Sequence, residues 1–223
     1  MYYIFFFVSL IITLLAQAYV NSSYDKYSKV KTNHEETGEQ VARQILDNAG
    51  LNDVVVFETN GFLSDHYDPK HKAVFLSRKN FNDKTIAAAS VAAHECGHAI
   101  QHKEGYIFMN IRAALVPFVN ISSYAGYFAI LLGCLFGSLN LIWLGILAEC
   151  VILLFQVITL PVEFDASSRA LKVLEKDNYL TKKELSGGKT VLRAAALTYV
   201  ASVATTLIEI FRLILVYGGR RND

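Results

Sequence analysis

The sequence predicts a mainly α integral membrane protein, with three to four transmembrane helices and a small α/β segment outside the bilayer. Three observations carry that reading. Of the 223 residues, 53% are hydrophobic, and long apolar runs occupy 2–20, 114–137, 141–161 and 195–217. A span needs roughly 20 mainly apolar residues, so the first three runs suffice. The fourth carries Glu209 and Arg212, which leaves a complete crossing open. Between the runs lies sequence patterned like a soluble domain, and one helix in it carries two His and a Glu at fixed spacing. A net charge of +1 leaves no electrostatic footprint for nucleic acid.

In chain order, residues 1–20 read as an N-terminal membrane anchor. Ala16-Gln17-Ala18 resembles a signal-peptidase site, but no Lys or Arg precedes the run, whereas Lys26, Lys29 and Lys31 follow it. Charge downstream of an uncharged start holds that side in the cytoplasm, so the anchor is read as uncleaved. Residues 21–113 form the segment that carries the motif. Thr37 caps a helix with Val41, Ile45 and Leu46 on one face, and Gly50 stops it. Short β-like runs follow at Val54–Phe57, Phe62-Leu63 and Ala73–Leu76, with Asp65-His66-Tyr67-Asp68-Pro69-Lys70 as a turn. These strands either offer an edge to an extended peptide or form a hairpin that covers the helix.

Residues 114–161 read as a transmembrane hairpin turned at Gly137-Ser138-Leu139-Asn140. A hairpin returns the chain to the side it left, so 162–194, a helix and connector, share a compartment with 21–113. Those two segments hold 18 of the 21 Lys and Arg, which places them in the cytoplasm. Thr181 and Glu184 match a capping box. Ser186-Gly187-Gly188-Lys189-Thr190 looks like the end of a phosphate loop, but Lys183 stands where that motif needs Gly. Residues 195–223 are a C-terminal membrane helix and tail. Glu149, Gln156 and Glu163 share one helical face, read either as a hydrogen-bonding seam between spans or as a polar track.

The motif is His94-Glu95-Cys96-Gly97-His98. Asn82 or Asp83 is expected to cap its helix, and Gly105 to end it. A spacing of four puts both imidazoles on one face, about a turn apart, able to bind one Zn²⁺. Glu95 reaches a water rather than the metal, which suits general-base hydrolysis. Gly97 keeps the turn between the ligands thin. Cys96 lies on the opposite face and reads as a buried thiol; the three cysteines form neither a disulfide framework nor a zinc ribbon. A third protein ligand is needed. His102 has its backbone roughly 9 Å along the helix axis from a zinc centred between the pair, too far to reach it. His34, His66 and His71 remain open, but a carboxylate from a second helix suits this pair, and Glu163 is the best placed.

His94 to His102, with Leu160-Pro161-Val162-Glu163-Phe164-Asp165-Ala166-Ser167, closely resembles a bacterial family of neutral zinc metallopeptidases of the membrane. Asp65 to Pro69 and Ala194 to Val200 also resemble blocks of that family. The resemblance implies a zincin-like catalytic segment, with His94, His98 and Glu163 on zinc and Glu95 as catalytic base. One departure stands out. The wider pattern E-x-x-x-D puts an acid four residues after the ligand, where this chain has Ser167; Asp165 points about 200° away. Oxyanion or supporting roles are open to His66, Tyr67, Asp165, Arg193 and Tyr199. The expected protein is a multi-pass plasma-membrane zinc endopeptidase acting at the cytoplasmic face. Its partners are the lipid bilayer and polypeptides, membrane-tethered chains among them. The rival is a membrane scaffold or chaperone with structural zinc, which would have no use for Glu95.

Overall fold

The computed structural model describes residues 3–61 and 63–219. Phe62, expected in a short strand, lies outside them. The protein is mainly α, and the chain divides into two compact units: Ala18–Met109 with Pro161–Leu197, and Met1–Gln17 with Asn110–Leu160 and Thr198–Asp223.

The first unit opens on the end of helix α1 (Tyr3–Tyr27), where Tyr24 packs on Ala87 and Val191 and its hydroxyl donates to Asn80 Oδ1 at 2.9 Å. Helix α2 (Gly38–Asn48) starts from the capping box of Thr37 with Gln40 and buries Val41, Ile45 and Leu46. Strands β1 (Val55–Thr59), β2 (His66–Asp68) and β3 (Ala73–Ser77) form a sheet of order β1-β3-β2. β3 pairs parallel to β1 and antiparallel to β2. Two expectations are corrected here. Leu63 lies in no strand, and the second strand in chain order is His66–Asp68, inside the stretch read as a turn. The turn itself begins at Asp68, whose Oδ1 accepts from Lys70 N at 2.8 Å and His71 N at 3.3 Å. The side chain of Asp68 thus supplies the turn while its backbone still closes the ladder.

Short helix α3 (Arg78–Asn82) leads to α4 (Ile86–Lys103), the motif helix. Its cap is Thr85, whose side chain accepts from Ala88 N at 3.2 Å; Asn82 and Asp83 instead close α3. The cap lies two or three residues beyond the expected position because a separate five-residue helix intervenes. Gly105 ends α4 at φ +65°. Ala92, Cys96 and Ala99 of α4 meet Val41, Ile45 and Leu46 of α2 in the main core, which Val74, Leu76, Leu174 and Leu192 complete. Small side chains on α4 let its neighbours approach closely, and that shapes the site.

The second unit is built from the apolar stretches of helices whose other ends belong to the first. α5 (Ile107–Phe136) runs through Pro117; α6 (Leu139–Lys176) runs through Pro161; α7 (Lys182–Tyr217) starts at the Thr181–Glu184 capping box. With α1, these are four helices long and apolar enough to cross a membrane. The fourth accommodates its charges because Arg212 Nε donates to Glu209 Oε2 at 2.7 Å, pairing the two along one helix. α5 and α6 touch at Gly126, where an added Cβ would stand 2.7 Å from the Ala148 Cβ. Large apolar side chains such as Phe128, Leu135, Trp143 and Leu154 point outward, as lipid-facing positions require.

A candidate metal centre on two helices

α4 and α6 meet at a glycine. A Cβ on Gly97 would lie 2.8 Å from Ala166 O and 3.2 Å from Ala166 Cα, so only a hydrogen there allows this approach. The contact sits between the two motif histidines on α4 and between Glu163 and Ser167 on α6. It brings Glu163 Oε2 to 3.3 Å from His94 Nε2 and 3.7 Å from His98 Nε2. One ligand atom from each of His94, His98 and Glu163 falls within 4.8 Å of the others. Two imidazole nitrogens and a carboxylate oxygen converging on one point are a donor set for Zn²⁺, of the three-ligand kind that catalytic sites complete with a water. The residues fit the metal.

The electrostatics separate the two carboxylates. Burial pushes Glu163 up, but hydrogen bonds and charge from His94 and His98 outweigh it and hold the carboxyl well below its ordinary range. Glu95 is also buried, and burial raises it; the charges of the two histidines only partly oppose this. For His98, burial acts downward, yet Glu163 and the Glu95 charge carry it above the usual imidazole value. Environments that drive neighbouring acids apart are how one site obtains both an anion and a proton acceptor. Cys96 takes no part: its thiol faces α2, 3.5 Å from Ala42 O, and burial raises it far above the usual thiol range.

The remaining candidates are dispersed. His66 stacks on Phe75 with ring centroids 4.7 Å apart, and its Nδ1 lies 2.9 Å from Ser64 O. The Tyr67 hydroxyl shares a 2.9 Å hydrogen bond with His102 Nδ1, one turn beyond His98. Asp165 holds Arg169 Nε at 2.5 Å. Arg193 is exposed on α7, and Tyr199 belongs to the other unit. His34 and His71 do not join the cluster, and His71 Nδ1 instead pairs with Asp68 at 2.6 Å.

Two contacts were missed from the sequence. Ser167, four residues after Glu163, reaches His94 Nδ1 at 3.2 Å, so a hydroxyl stands where the wider pattern has an acid. Gln101 Oε1 lies 2.9 Å from His98 Nδ1. Helical spacing held both signals, since +4 from one ligand and +3 from another return to the same face.

An integral membrane α protein presenting two helix-borne histidines and a carboxylate to one zinc-sized point belongs, by fold and site, among membrane zinc proteins of the H-E-x-x-H type. The chain belongs to the zinc peptidase family described as "Putative neutral zinc metallopeptidase", whose model matches residues 2–218. It is also 44% identical over 208 residues to "Putative membrane protease YugP" of Bacillus subtilis (strain 168), covering 93% of this chain and 92% of that protein. No solved structure matches it.

Proposed function

We propose that the protein is a membrane-bound zinc endopeptidase, with His94, His98 and Glu163 holding the metal and Glu95 as the base. The observation that carries this is the convergence of one ligand atom each from His94, His98 and Glu163 within 4.8 Å, with Glu95 buried one residue after the first ligand. Bound there, zinc supplies Lewis acidity, polarising a carbonyl and acidifying water. Glu95 accepts the proton of the attacking water and returns it to the amide nitrogen as the C–N bond breaks. Among the donors expected for the oxyanion, Tyr67 is tied to the motif helix through His102. A structural zinc site has no use for a buried acid at position 95, which counts against the scaffold reading.

Glu163 follows Pro161 by two residues on the same helix, and Pro161 closes the apolar run that began at Leu141. At 1.5 Å per residue, Glu163 lies a few ångströms along that helix from the end of the apolar run. The reading therefore favours unfolded or membrane-tethered polypeptides cut near the bilayer. Purified enzyme is expected to cleave casein, to stop with a chelator and to resume with zinc. In liposomes, one cleavable sequence placed close to a transmembrane anchor should be cut faster than when it is far from the anchor or free. Equal rates for all three would remove the tethered-substrate account, and chelator-resistant cleavage would remove the zinc mechanism.

The catalytic side is assigned to the cytoplasm on the distribution of Lys and Arg. Single cysteines at Ser28, Ser138 and Ser186 in a cysteine-free background check it. Only the one at Ser138 should react with an impermeant reagent added outside intact cells. External labelling at Ser28 would invert the orientation.

A further inference from the structure

Gln101 is fully buried, on the turn of α4 that follows His98. Its Nε2 lies 2.8 Å from Val162 O and 2.8 Å from Asp165 Oδ2, while its Oε1 lies 2.9 Å from His98 Nδ1. The first two partners, a backbone carbonyl and a carboxylate, can only accept. An amide has one donating end and one accepting end. Both acceptors therefore fix the NH₂ end towards α6, and the carbonyl end must face the imidazole. A carbonyl oxygen accepts, so His98 Nδ1 must carry the proton. In the neutral ring, the form that binds a metal, Nε2, which faces Glu163, is left with the free lone pair.

Which way an amide points and which ring nitrogen is protonated are ordinarily undetermined. Here two obligate acceptors settle both. His94 is treated differently, because the Ser167 hydroxyl can donate or accept and imposes no tautomer. The Gln101 amide also hangs on two residues of α6 on either side of Glu163, Val162 and Asp165. Asp165 is itself held by Arg169 Nε at 2.5 Å, and Arg169 Nη1 donates to Glu104 Oε2 at 2.7 Å, at the end of α4. The chain of bonds leaves α4 at Gln101 and returns to it at Glu104.

We propose that Gln101 is a positioning residue, oriented by Asp165, which fixes the metal-binding tautomer of His98 and couples that ring to the helix carrying Glu163. The proposal rests on the zinc reading above. It also explains how a chain lacking an acid at position 167 supplies a carboxylate to its ligands: Asp165 acts through an interposed amide. Partners that orient a metal-bound His are worth about 10- to 100-fold in metal affinity. A simple acceptor would be expected to tolerate Gln101→Glu, since carboxylates commonly support zinc-bound imidazoles. This site should not, because a carboxylate there would face Val162 O and the Asp165 carboxylate.

The test joins histidine-selective ¹⁵N NMR of the full-length protein in detergent to zinc affinity by chelator competition. In the wild type, metal-free at alkaline pH, His98 should be protonated at Nδ1, and in the zinc form bound through Nε2. Gln101→Met should lose 10- to 100-fold in zinc affinity and show a mixture of His98 tautomers. Gln101→Glu should lose more than Gln101→Met, and adding Asp165→Asn should recover part of that loss. A wild-type His98 protonated at Nε2 overturns the proposal without any variant, so a misfolded variant cannot shelter it. Gln101→Met with zinc affinity within twofold of wild type overturns it too. A wild type that takes up no zinc would instead sink the metal reading, with the metal-free spectrum still deciding the tautomer.

Discussion

Glu95→Gln should retain one zinc per chain and lose about 10²- to 10⁴-fold in peptide hydrolysis, the usual contribution of a general base. The amide is nearly isosteric with the carboxyl and leaves His94, His98 and Glu163 in place. It cannot take a proton from water. The loss should appear in kcat more than in KM, because the missing step belongs to the transition state. Metal content and single-turnover cleavage measured on the same preparation separate the base from the ligands. Undiminished cleavage in Glu95→Gln would end the mechanism, and loss of zinc would recast Glu95 as a ligand.

Gly97→Ala should cost zinc without touching a ligand. Its Cβ would stand 2.8 Å from a backbone oxygen of α6, and backbone cannot turn aside as a side chain does. The helices must separate, at about 1–3 kcal/mol for overpacking of this kind. Metal–ligand distances tolerate only about 0.2 Å, and the shift moves Glu163 away from both histidines together. The expected result is at least a tenfold loss in zinc affinity, with a lowered melting temperature that added zinc only partly restores. Wild-type affinity in Gly97→Ala would show that the two helices are not held at the distance described.

Much of this was legible in the sequence, and the physical reason differs from part to part. Membrane helices declare themselves locally through length and apolarity, and so did the Thr37 and Thr181 caps. The pairing of the motif with a carboxylate on a distant helix was legible because the chemistry of two histidines demands a third ligand. The runs Val54–Phe57 and Ala73–Leu76 announced β1 and β3, but β2 and the pairing of the strands were not legible. β2 and β3 pair as neighbours in the chain, but β1 finds β3 in parallel, 18 residues on and past β2. The Asp68 side chain writes a turn signal onto a residue that is still in a strand. Position 167 was read as a loss because the pattern named an acid; only the packing of α4 on α6 shows the hydroxyl on His94 and the amide of Gln101 on His98.

X-ray absorption on the zinc-loaded protein, with its metal content, tests the central claim most directly. The account predicts one zinc per chain, bound by two imidazole nitrogens and by oxygen, with no sulfur neighbour. It predicts the same spectrum in His102→Ala and a much weakened site in Glu163→Ala. A sulfur neighbour at about 2.3 Å, a third imidazole, or a Glu163→Ala protein that still binds zinc as tightly as the wild type would contradict it.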